Sequence, residues 1–344
     1  MQTASFYIRL PDNKTECLLC PHNCIIQDGE KGICKVRFNK EGVLFTQAYD
    51  NPIALNTDPI EKKPLYHFFP GQQILSIGTF GCNLKCSFCQ NFEISQNNID
   101  GKEINGGKKE IKDIIQLAKE KQKNIGLAYT YNEPVVYYEY MTKLALEVHD
   151  AGLKNVMVSN GFINPEPLSE LLKLIDAFNI DLKSFSNEFY KKYTLSKLEP
   201  VLNTIKTIFK SGKYIELTYL VIPGLNDDPE EFDAMTEWIV KETSKETVLH
   251  ISRYFPSYKM DIPPTPIKTL ENLYHHAIKR LDYVYVGNIH DNNLQNTYCP
   301  VCKSLVLKRN GYFTSNEGLD AKGFCMKCQL KIIKYMTNNN GEYN

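Results

Sequence analysis

The chain has 344 residues, with 40 basic and 40 acidic side chains and a hydrophobic fraction of 42%. This composition is typical of a globular protein with a large core, and it excludes disordered, collagen-like and coiled-coil chains. A formal net charge of zero gives no general attraction for polyanions, so nucleic acid is not expected as a partner.

The sequence contains no run of about 18 uncharged apolar residues, which predicts no membrane span and no membrane partner. The segment from Met1 to Leu10 lacks the basic flank and the apolar stretch of a secretory signal. A cytoplasmic location is therefore expected. In that reducing compartment, the 11 cysteines predict metal binding rather than disulfides.

The cysteines fall into three groups along the chain, and no cysteine is left over. The groups are Cys17, Cys20, Cys24 and Cys34; Cys82, Cys86 and Cys89; and Cys299, Cys302, Cys325 and Cys328. Cysteines placed only for packing would stand alone on apolar faces. The grouping therefore favours three separate metal-centred units.

The first and last groups each have four cysteines. The last group forms two C-x2-C knuckles, YCPVC and FCMKC, which suit a tetrahedral site for zinc or a single rubredoxin-like iron. Four thiolates leave no open position, so this site predicts a structural centre for a small module over residues 297–335. The first group lies in a cysteine-rich module over residues 1–70, and its spacing fits either zinc or a second iron–sulfur cluster.

The middle group has three cysteines with the spacing C-x3-C-x2-C, and it follows the apolar run ILSIGTF. Three thiolates on a cubic four-iron cluster leave one iron free to bind a small molecule. Phe88 stands directly before the third cysteine. A structural zinc site with one cysteine missing is the alternative interpretation.

Residues 71–296 alternate between short apolar runs and amphipathic helical segments. The predicted strands are ILSIGTF, GLAYTY, NVMVS, FNIDLK, IELTYLVI, VLHISRY and YVYVGN. This repeated βα pattern predicts a parallel sheet with helices outside, and about six units are too few to close an eight-stranded barrel. We therefore expect an α/β fold: an open partial (βα)6-type barrel with small cysteine-rich modules at both ends and a tail over residues 336–344.

Active-site residues of parallel barrels gather at the carboxyl ends of the strands. Polar residues that end or follow the predicted strands are Asn132, Glu133, Ser159, Asn160, Asp181, Lys183, Arg253 and Asn288. One such residue would mean little, because Asn and Ser also begin helices and turns. Several on one rim predict a pocket. His250 and Arg253 have no matched role, although the planar fork of Arg253 suits a substrate carboxylate or phosphate.

The motifs CLLCPHNC, GCNLKCSFCQNFEISQ, YTYNEP, VSNGF, IDLKS, VIPGLNDD and YVGN, with the terminal knuckles, resemble the AmmeMemoRadiSam-system radical S-adenosylmethionine (SAM) enzymes. These are relatives of the pyruvate formate-lyase activating enzyme, and the resemblance covers nearly the whole chain. It implies a catalytic 4Fe-4S cluster that binds SAM at its open iron. One electron then cleaves the SAM to a 5'-deoxyadenosyl radical, which abstracts hydrogen from a substrate that the resemblance does not assign.

The resemblance also implies roles for individual residues. Cys82, Cys86 and Cys89 match the cluster ligands, and Phe88 matches the aromatic position of the cysteine motif. Activating enzymes have a Gly-Gly-Glu-Pro stretch at the SAM amino group; here Glu133 keeps its place while Asn132 replaces a glycine. Other residues match strand ends that face the ribose or the charged groups of SAM: Ser159, Asn160, Asp181 and Lys183.

The resemblance implies a flavodoxin-like or ferredoxin-like electron donor, and an association with AMMECR1-like and Memo-like proteins. Two other functions compete with that of a radical enzyme acting on an unassigned substrate. One is an activating enzyme that acts on a glycine backbone of a partner protein. Terminal knuckles that covered the barrel mouth would weigh against it, because they would narrow access for a protein loop. The other is a zinc-stabilised module that binds RNA or protein.

Overall fold

The structure is a computed structural model that describes residues 2–96, 107–289 and 293–337. Its strands are β1 (Gln2–Thr3), β2 (Tyr7–Arg9), β3 (Thr15–Cys17), β4 (Ile25–Ile26), β5 (Arg37–Lys40), β6 (Val43–Thr46), β7 (Ala54–Pro59), β8 (Gln73–Gly78), β9 (Asn124–Tyr129), β10 (Lys154–Ser159), β11 (Ala177–Asp181), β12 (Tyr214–Val221), β13 (Val248–Arg253), β14 (Val284–Gly287), β15 (Thr297–Tyr298), β16 (Leu305–Asn310) and β17 (Phe313–Asn316). Its helices are α1 (Phe92–Ser95), α2 (Ile111–Glu120), α3 (Tyr138–Asp150), α4 (Pro165–Leu171), α5 (Asn187–Phe189), α6 (Leu198–Lys210), α7 (Pro229–Glu242) and α8 (Ile267–Ala277). Among the described residues, no helix is both long and apolar enough to cross a bilayer.

The largest sheet has eight strands in the order β14-β13-β12-β11-β10-β9-β8-β7. Strands β8 to β14 are parallel, and β7 pairs antiparallel with β8. Each of the seven predicted runs forms one of the parallel strands. Six helical crossovers join them, and β14 and β7 lie at opposite edges, so the predicted open partial barrel is confirmed.

Burial explains why the sequence predicted these strands as apolar runs. Every residue of β9 is buried, because helices cover the outer face of the sheet while side chains fill its inner face. The covering helices are amphipathic: α6 buries Leu198, Val201, Ile205 and Ile208, which recur at helical spacing.

The N-terminal module contains two small sheets, with orders β1-β6-β5 and β2-β3-β4. It is fastened to the barrel by Arg37, whose guanidinium donates to Glu139 of α3 over 2.5 Å and to the carbonyl of Ser5 over 2.6 Å. Both charged side chains are buried. The barrel sheet begins before residue 71, because β7 leaves this module and pairs with β8.

The C-terminal module is a three-stranded sheet, β15-β16-β17, with its cysteine knuckles. Cys299 and Cys325 share an apolar cluster with Val248 and Tyr283, at the amino ends of β13 and β14. The cysteine knuckles therefore pack against the amino end of the barrel, opposite the predicted site, whereas the turn between β16 and β17 reaches the cavity at the carboxyl end through Tyr312. Of the predicted tail at 336–344, only Met336 and Thr337 lie within the described residues.

A buried polar cluster closes the amino end of the barrel. Glu216 accepts the backbone N–H groups of Tyr66 and His67 over 2.9 and 2.8 Å, and it pairs with His250 over 2.6 Å. The second histidine, His67, lies 2.6 Å from the hydroxyl of Tyr285. His250 thus lies in the interior below the strand ends, where it stabilises the fold instead of facing a ligand.

Burial of His67 predicts a loss of stability in weak acid. Its pKa is lowered to about 3 because burial disfavours the charged ring, whereas the unfolded chain protonates near pH 6.5. Between these values the unfolded state binds the extra proton, so stability falls by about 1.4 kcal/mol per pH unit as pH drops below 6.5. Denaturant unfolding at pH 6.0 and 5.0 should show this slope, and it should shrink by that amount in His67→Gln. An equal slope in both proteins would contradict the assignment.

Candidate functional site

A cavity of about 530 Å³ lies inside the open barrel at the carboxyl ends of its strands. It brings together the three middle cysteines and all but one of the other predicted cofactor-binding residues. Those lining it are Cys82, Cys86, Phe88, Cys89, Asn132, Glu133, Ser159, Asn160, Asp181, Lys183 and Asn288. The convergence arises because parallel strands end at the same edge of the sheet.

The three thiols sit on the loop that follows β8. Cys82 Sγ accepts the N–H of Leu84 over 3.3 Å, and Cys89 Sγ lies 3.0 Å from the hydroxyl of Ser95. Burial raises the pKa of Cys86 to about 12, and it raises that of Cys82 well above its usual value. Metal binding at these thiols must therefore release protons.

The donor set fits a cubic four-iron cluster. The side chains that line the cavity include three cysteines and no fourth, so such a cluster would keep one iron without a protein ligand. The cavity continues beyond the thiols, which leaves room for a molecule at that iron. This is the arrangement that the cysteine spacing predicts.

Glu133 is a buried carboxylate in the cavity wall. One oxygen accepts the hydroxyl of Ser159 over 2.7 Å and the N–H of Val135 over 3.1 Å, and the other accepts the N–H of Asn160 over 2.8 Å. A carboxylate has about four acceptor positions, so one remains for a ligand. Burial raises the pKa of Glu133 to about 7, and these hydrogen bonds only partly oppose it.

The side chain of Asn132 forms hydrogen bonds with the backbone of the cysteine loop. Its side-chain oxygen accepts the N–H of Thr79 over 2.9 Å, and its amide donates to the carbonyl of Gly81 over 3.0 Å. The side chain thus joins the loop after β9 to the cysteine loop after β8. Asn160 has a similar place, because its amide donates to Asn83 over 2.9 Å and lies 3.8 Å from Cys82 Sγ.

Asp181 and Lys183 form an ion pair of 3.1 Å beside the thiols. The ammonium of Lys183 lies 5.9 Å from the ring centre of Phe88. Burial alone would lower the pKa of Lys183, but Asp181 and Cys86 outweigh it and the pKa is raised. The lysine therefore carries a positive charge next to the cysteine loop.

Arg253 is the one predicted cofactor-binding residue outside the cavity lining. Neighbouring residues of a strand point to opposite faces, and Ser252 is the residue of β13 that lines the cavity. The guanidinium of Arg253 donates to the carbonyl of Thr265 over 2.8 Å and lies 4.9 Å from the ring of Phe255. Asn288 does line the cavity, and its amide donates to the Arg253 carbonyl over 3.2 Å.

Several lining residues had no motif in the sequence: Lys62, Lys63, Ser252 and Tyr312. Asp58 accepts from Lys62, Lys63 and the hydroxyl of Tyr131 over 2.8, 2.7 and 2.6 Å. Burial lowers the pKa of Lys63 to about 8 despite this partner. Ser252 lies in β13, but Lys62 and Lys63 follow β7 and Tyr312 belongs to the C-terminal module, so only the folded chain brings these three to the cavity.

The terminal cysteine groups differ in spacing. Cys299 Sγ lies 3.4 Å from Cys328 Sγ, and Cys302 Sγ lies 3.6 Å from Cys325 Sγ. All four sulfurs are within 4.8 Å of one another, as a single tetrahedral ion requires. The four N-terminal cysteines, Cys17, Cys20, Cys24 and Cys34, surround a separate cavity.

Comparison with known proteins agrees with this site. Residues 76–239 match the radical SAM superfamily. The uncharacterized protein MJ0808 of Methanocaldococcus jannaschii is 43% identical over 335 residues, which are 96% of this chain and 99% of that protein. The benzylsuccinate synthase activating enzyme of Thauera aromatica is 25% identical over 120 residues, or 35% of this chain and 36% of that enzyme.

A solved structure of Streptococcus suis SuiB bound to SAM is similar in fold, with a TM-score of 0.51 and 14% identity, over 67% of this chain and 54% of SuiB. The chain thus carries a radical SAM domain with homology to activating enzymes, and the protein is an enzyme. It belongs to the same family as MJ0808. This assignment replaces the alternative of a zinc-stabilised binding module.

The resemblance implies that Glu133 receives the ammonium group of SAM, and this role predicts pH-dependent binding. With a pKa of about 7, the carboxyl is protonated in acid and cannot pair with a cation. SAM affinity should therefore fall as the pH drops through about 7, approach the affinity of Glu133→Gln in acid, and level off above pH 8. Glu133→Gln should weaken binding about 10- to 100-fold at pH 8, because a charge-assisted hydrogen bond is lost.

Equilibrium dialysis of the cluster-loaded, oxidised protein measures this binding without turnover. Glu188→Gln is the matched control, because Glu188 is exposed and outside the cavity. A flat profile between pH 6 and pH 8 would show that Glu133 does not receive the cation.

Proposed function

We propose that this enzyme reductively cleaves SAM and directs the resulting 5'-deoxyadenosyl radical at a C–H bond of its substrate. The observation that carries the proposal is a loop of three thiols facing a cavity that also holds a buried carboxylate, Glu133, whose hydrogen-bond partners among the described residues are uncharged. A bound 4Fe-4S cluster would supply the electron and the open iron that this chemistry needs. The cysteines in this role are Cys82, Cys86 and Cys89.

The protein residues would bind and orient the cosubstrate. Glu133 would accept its ammonium group, held in position by Ser159 and the backbone of Asn160. The charged pair of Asp181 and Lys183, which lines the same cavity, would face the carboxylate and the ribose of SAM. The cavity wall would exclude water from the reacting carbon, which protects a radical from side reactions.

We also propose that a flavodoxin-like or ferredoxin-like protein supplies the electron. AMMECR1-like and Memo-like proteins remain the proposed functional associates, on the strength of the motif resemblance. The finer assignment to the AmmeMemoRadiSam system rests on the same motifs. At the C-terminal cysteines, the close sulfur spacing supports one zinc or iron ion with a structural role.

A second candidate function is activation of a glycyl-radical protein. Two observations favour it: several relatives are activating enzymes, and the cysteine knuckles of the C-terminal module pack at the amino end of the barrel. The knuckles do not line the cavity at the carboxyl end, where that module contributes Tyr312. Electron paramagnetic resonance (EPR) of a partner protein tests this function. A glycyl radical signal that forms only with this enzyme and SAM would select it. Turnover on a small molecule alone would reject it.

The central prediction concerns formation of 5'-deoxyadenosine. Anaerobically reconstituted and reduced protein should form it from SAM, and Cys86→Ala should reduce the yield to background because a cluster ligand is missing. Cys302→Ala removes a thiol that is remote from the cavity and should retain most of the activity. Chromatography of the nucleosides is the measurement. Equal yields from Cys86→Ala and the unmodified protein would refute the proposed function.

A further inference from the structure

The thiols of the N-terminal module line a second cavity, next to the cysteine loop of the barrel. This cavity has a volume of about 20 Å³. Besides the four cysteines, its lining is largely apolar: Leu19, Ile26, Ile33, Val135 and Val136. Two polar side chains also reach it, those of His22 and Asn83, together with the buried guanidinium of Arg37.

The spacing of these thiols differs from that of the C-terminal site. Among the described residues, the C-terminal cysteines are the only set of three or more possible ligands whose atoms all lie within 4.8 Å of one another. A tetrahedral zinc ion with bonds of about 2.3 Å places its sulfurs about 3.8 Å apart. No three of the N-terminal thiols are that close, and neither are the three thiols of the cysteine loop.

We propose that Cys17, Cys20, Cys24 and Cys34 hold a second cubic iron–sulfur cluster. A cubic cluster binds each thiolate at a different iron, so its ligands stand farther apart than those of one ion. The N-terminal group resembles the cysteine loop in this respect, and it adds the fourth ligand that the loop lacks. Four thiolates leave no iron of such a cluster open to a cosubstrate, which suits electron transfer better than substrate chemistry.

The two sets of thiols are close neighbours. His22 Nε2 lies 2.7 Å from the carbonyl oxygen of Asn83, the residue after Cys82. Gly81 has a positive φ of 82°, and a Cβ there would lie 2.7 Å from the Cys34 carbonyl oxygen. Backbone that carries a ligand of one site therefore packs directly on backbone that carries a ligand of the other.

This adjacency gives the second cluster a redox role, a step that rests on the proposed function. A low-potential one-electron donor of the flavodoxin or ferredoxin class reduces the N-terminal cluster by one electron. That electron then passes to the catalytic cluster, which becomes reduced as the N-terminal cluster returns to its oxidised state. No bond is made or broken. Arg37, 3.8 Å from Cys17 Sγ, offsets part of the negative charge of the thiolates.

The decisive experiment removes the catalytic cluster and asks what iron remains. The Cys82→Ala/Cys86→Ala/Cys89→Ala variant, reconstituted without air, should hold about four irons and four sulfides per chain and give an EPR signal on reduction. An iron-free variant with about two zinc ions per chain would overturn the proposal. Because this variant cannot cleave SAM, the result is independent of the proposed function.

Matched variants assign the cluster to its ligands. Cys20→Ser/Cys24→Ser should lower the iron of the otherwise unmodified protein from about eight to about four atoms per chain. Cys302→Ser/Cys325→Ser should leave the clustered iron unchanged. Loss of the same iron from both double variants would contradict the assignment. If a variant fails to fold, Mössbauer spectra of the unmodified protein still decide, since about eight clustered irons are expected and about four would refute it.

The unmodified protein also tests the proximity of the two clusters. When both are reduced, each should broaden the EPR signal of the other, and the broadening should vanish in the triple alanine variant. Two sharp, independent signals in the unmodified protein would reject the proposed electron path.

Discussion

The site depends on how the cysteine loop is fastened, because residues 79–91 contain neither helix nor strand. Backbone hydrogen bonds from distant segments hold it: the N–H of Lys85 donates to Thr194 over 2.9 Å, and the N–H of Ser87 donates to Tyr193 over 3.0 Å. The carbonyl of Ser87 in turn accepts the N–H of Lys259 over 2.9 Å. Three thiols on an unfastened loop would have no fixed spacing, so the segments after α5 and β13 help to set the positions of these thiols.

The electrostatics of the cavity follow from which charges are paired. Asp181 has Lys183 as its partner, whereas Glu133 receives only neutral hydrogen-bond donors in the wall. A buried acid that lacks a cation is costly when charged, and the raised pKa of Glu133 is the direct consequence. A ligand with an ammonium group would supply the missing charge. Such a ligand would favour the charged form of Glu133 and lower its pKa.

The sequence predicted the barrel because buried parallel strands are continuous apolar runs, and all seven are strands in the structure. It predicted the cavity residues less well at strand ends, because neighbouring residues of a strand point to opposite faces of the sheet. Arg253 follows Ser252, and strand alternation turns only the serine towards the cavity. Lys63 and Tyr312 were missed for another reason: they lie outside the βα units, and no local pattern indicates that the two modules reach the cavity.

Sequence spacing also could not separate the two terminal cysteine groups, since thiol distances are set by the elements that carry them. The C-terminal sulfurs come from two short knuckles that face each other, so four sulfurs meet closely. In the N-terminal module, Cys17 ends β3. Cys34 lies in the segment between β4 and β5, and its backbone packs on Gly81. No three of these thiols lie within 4.8 Å of one another. A larger group can bridge them where they stand, and this makes the module a second redox centre instead of a second zinc staple.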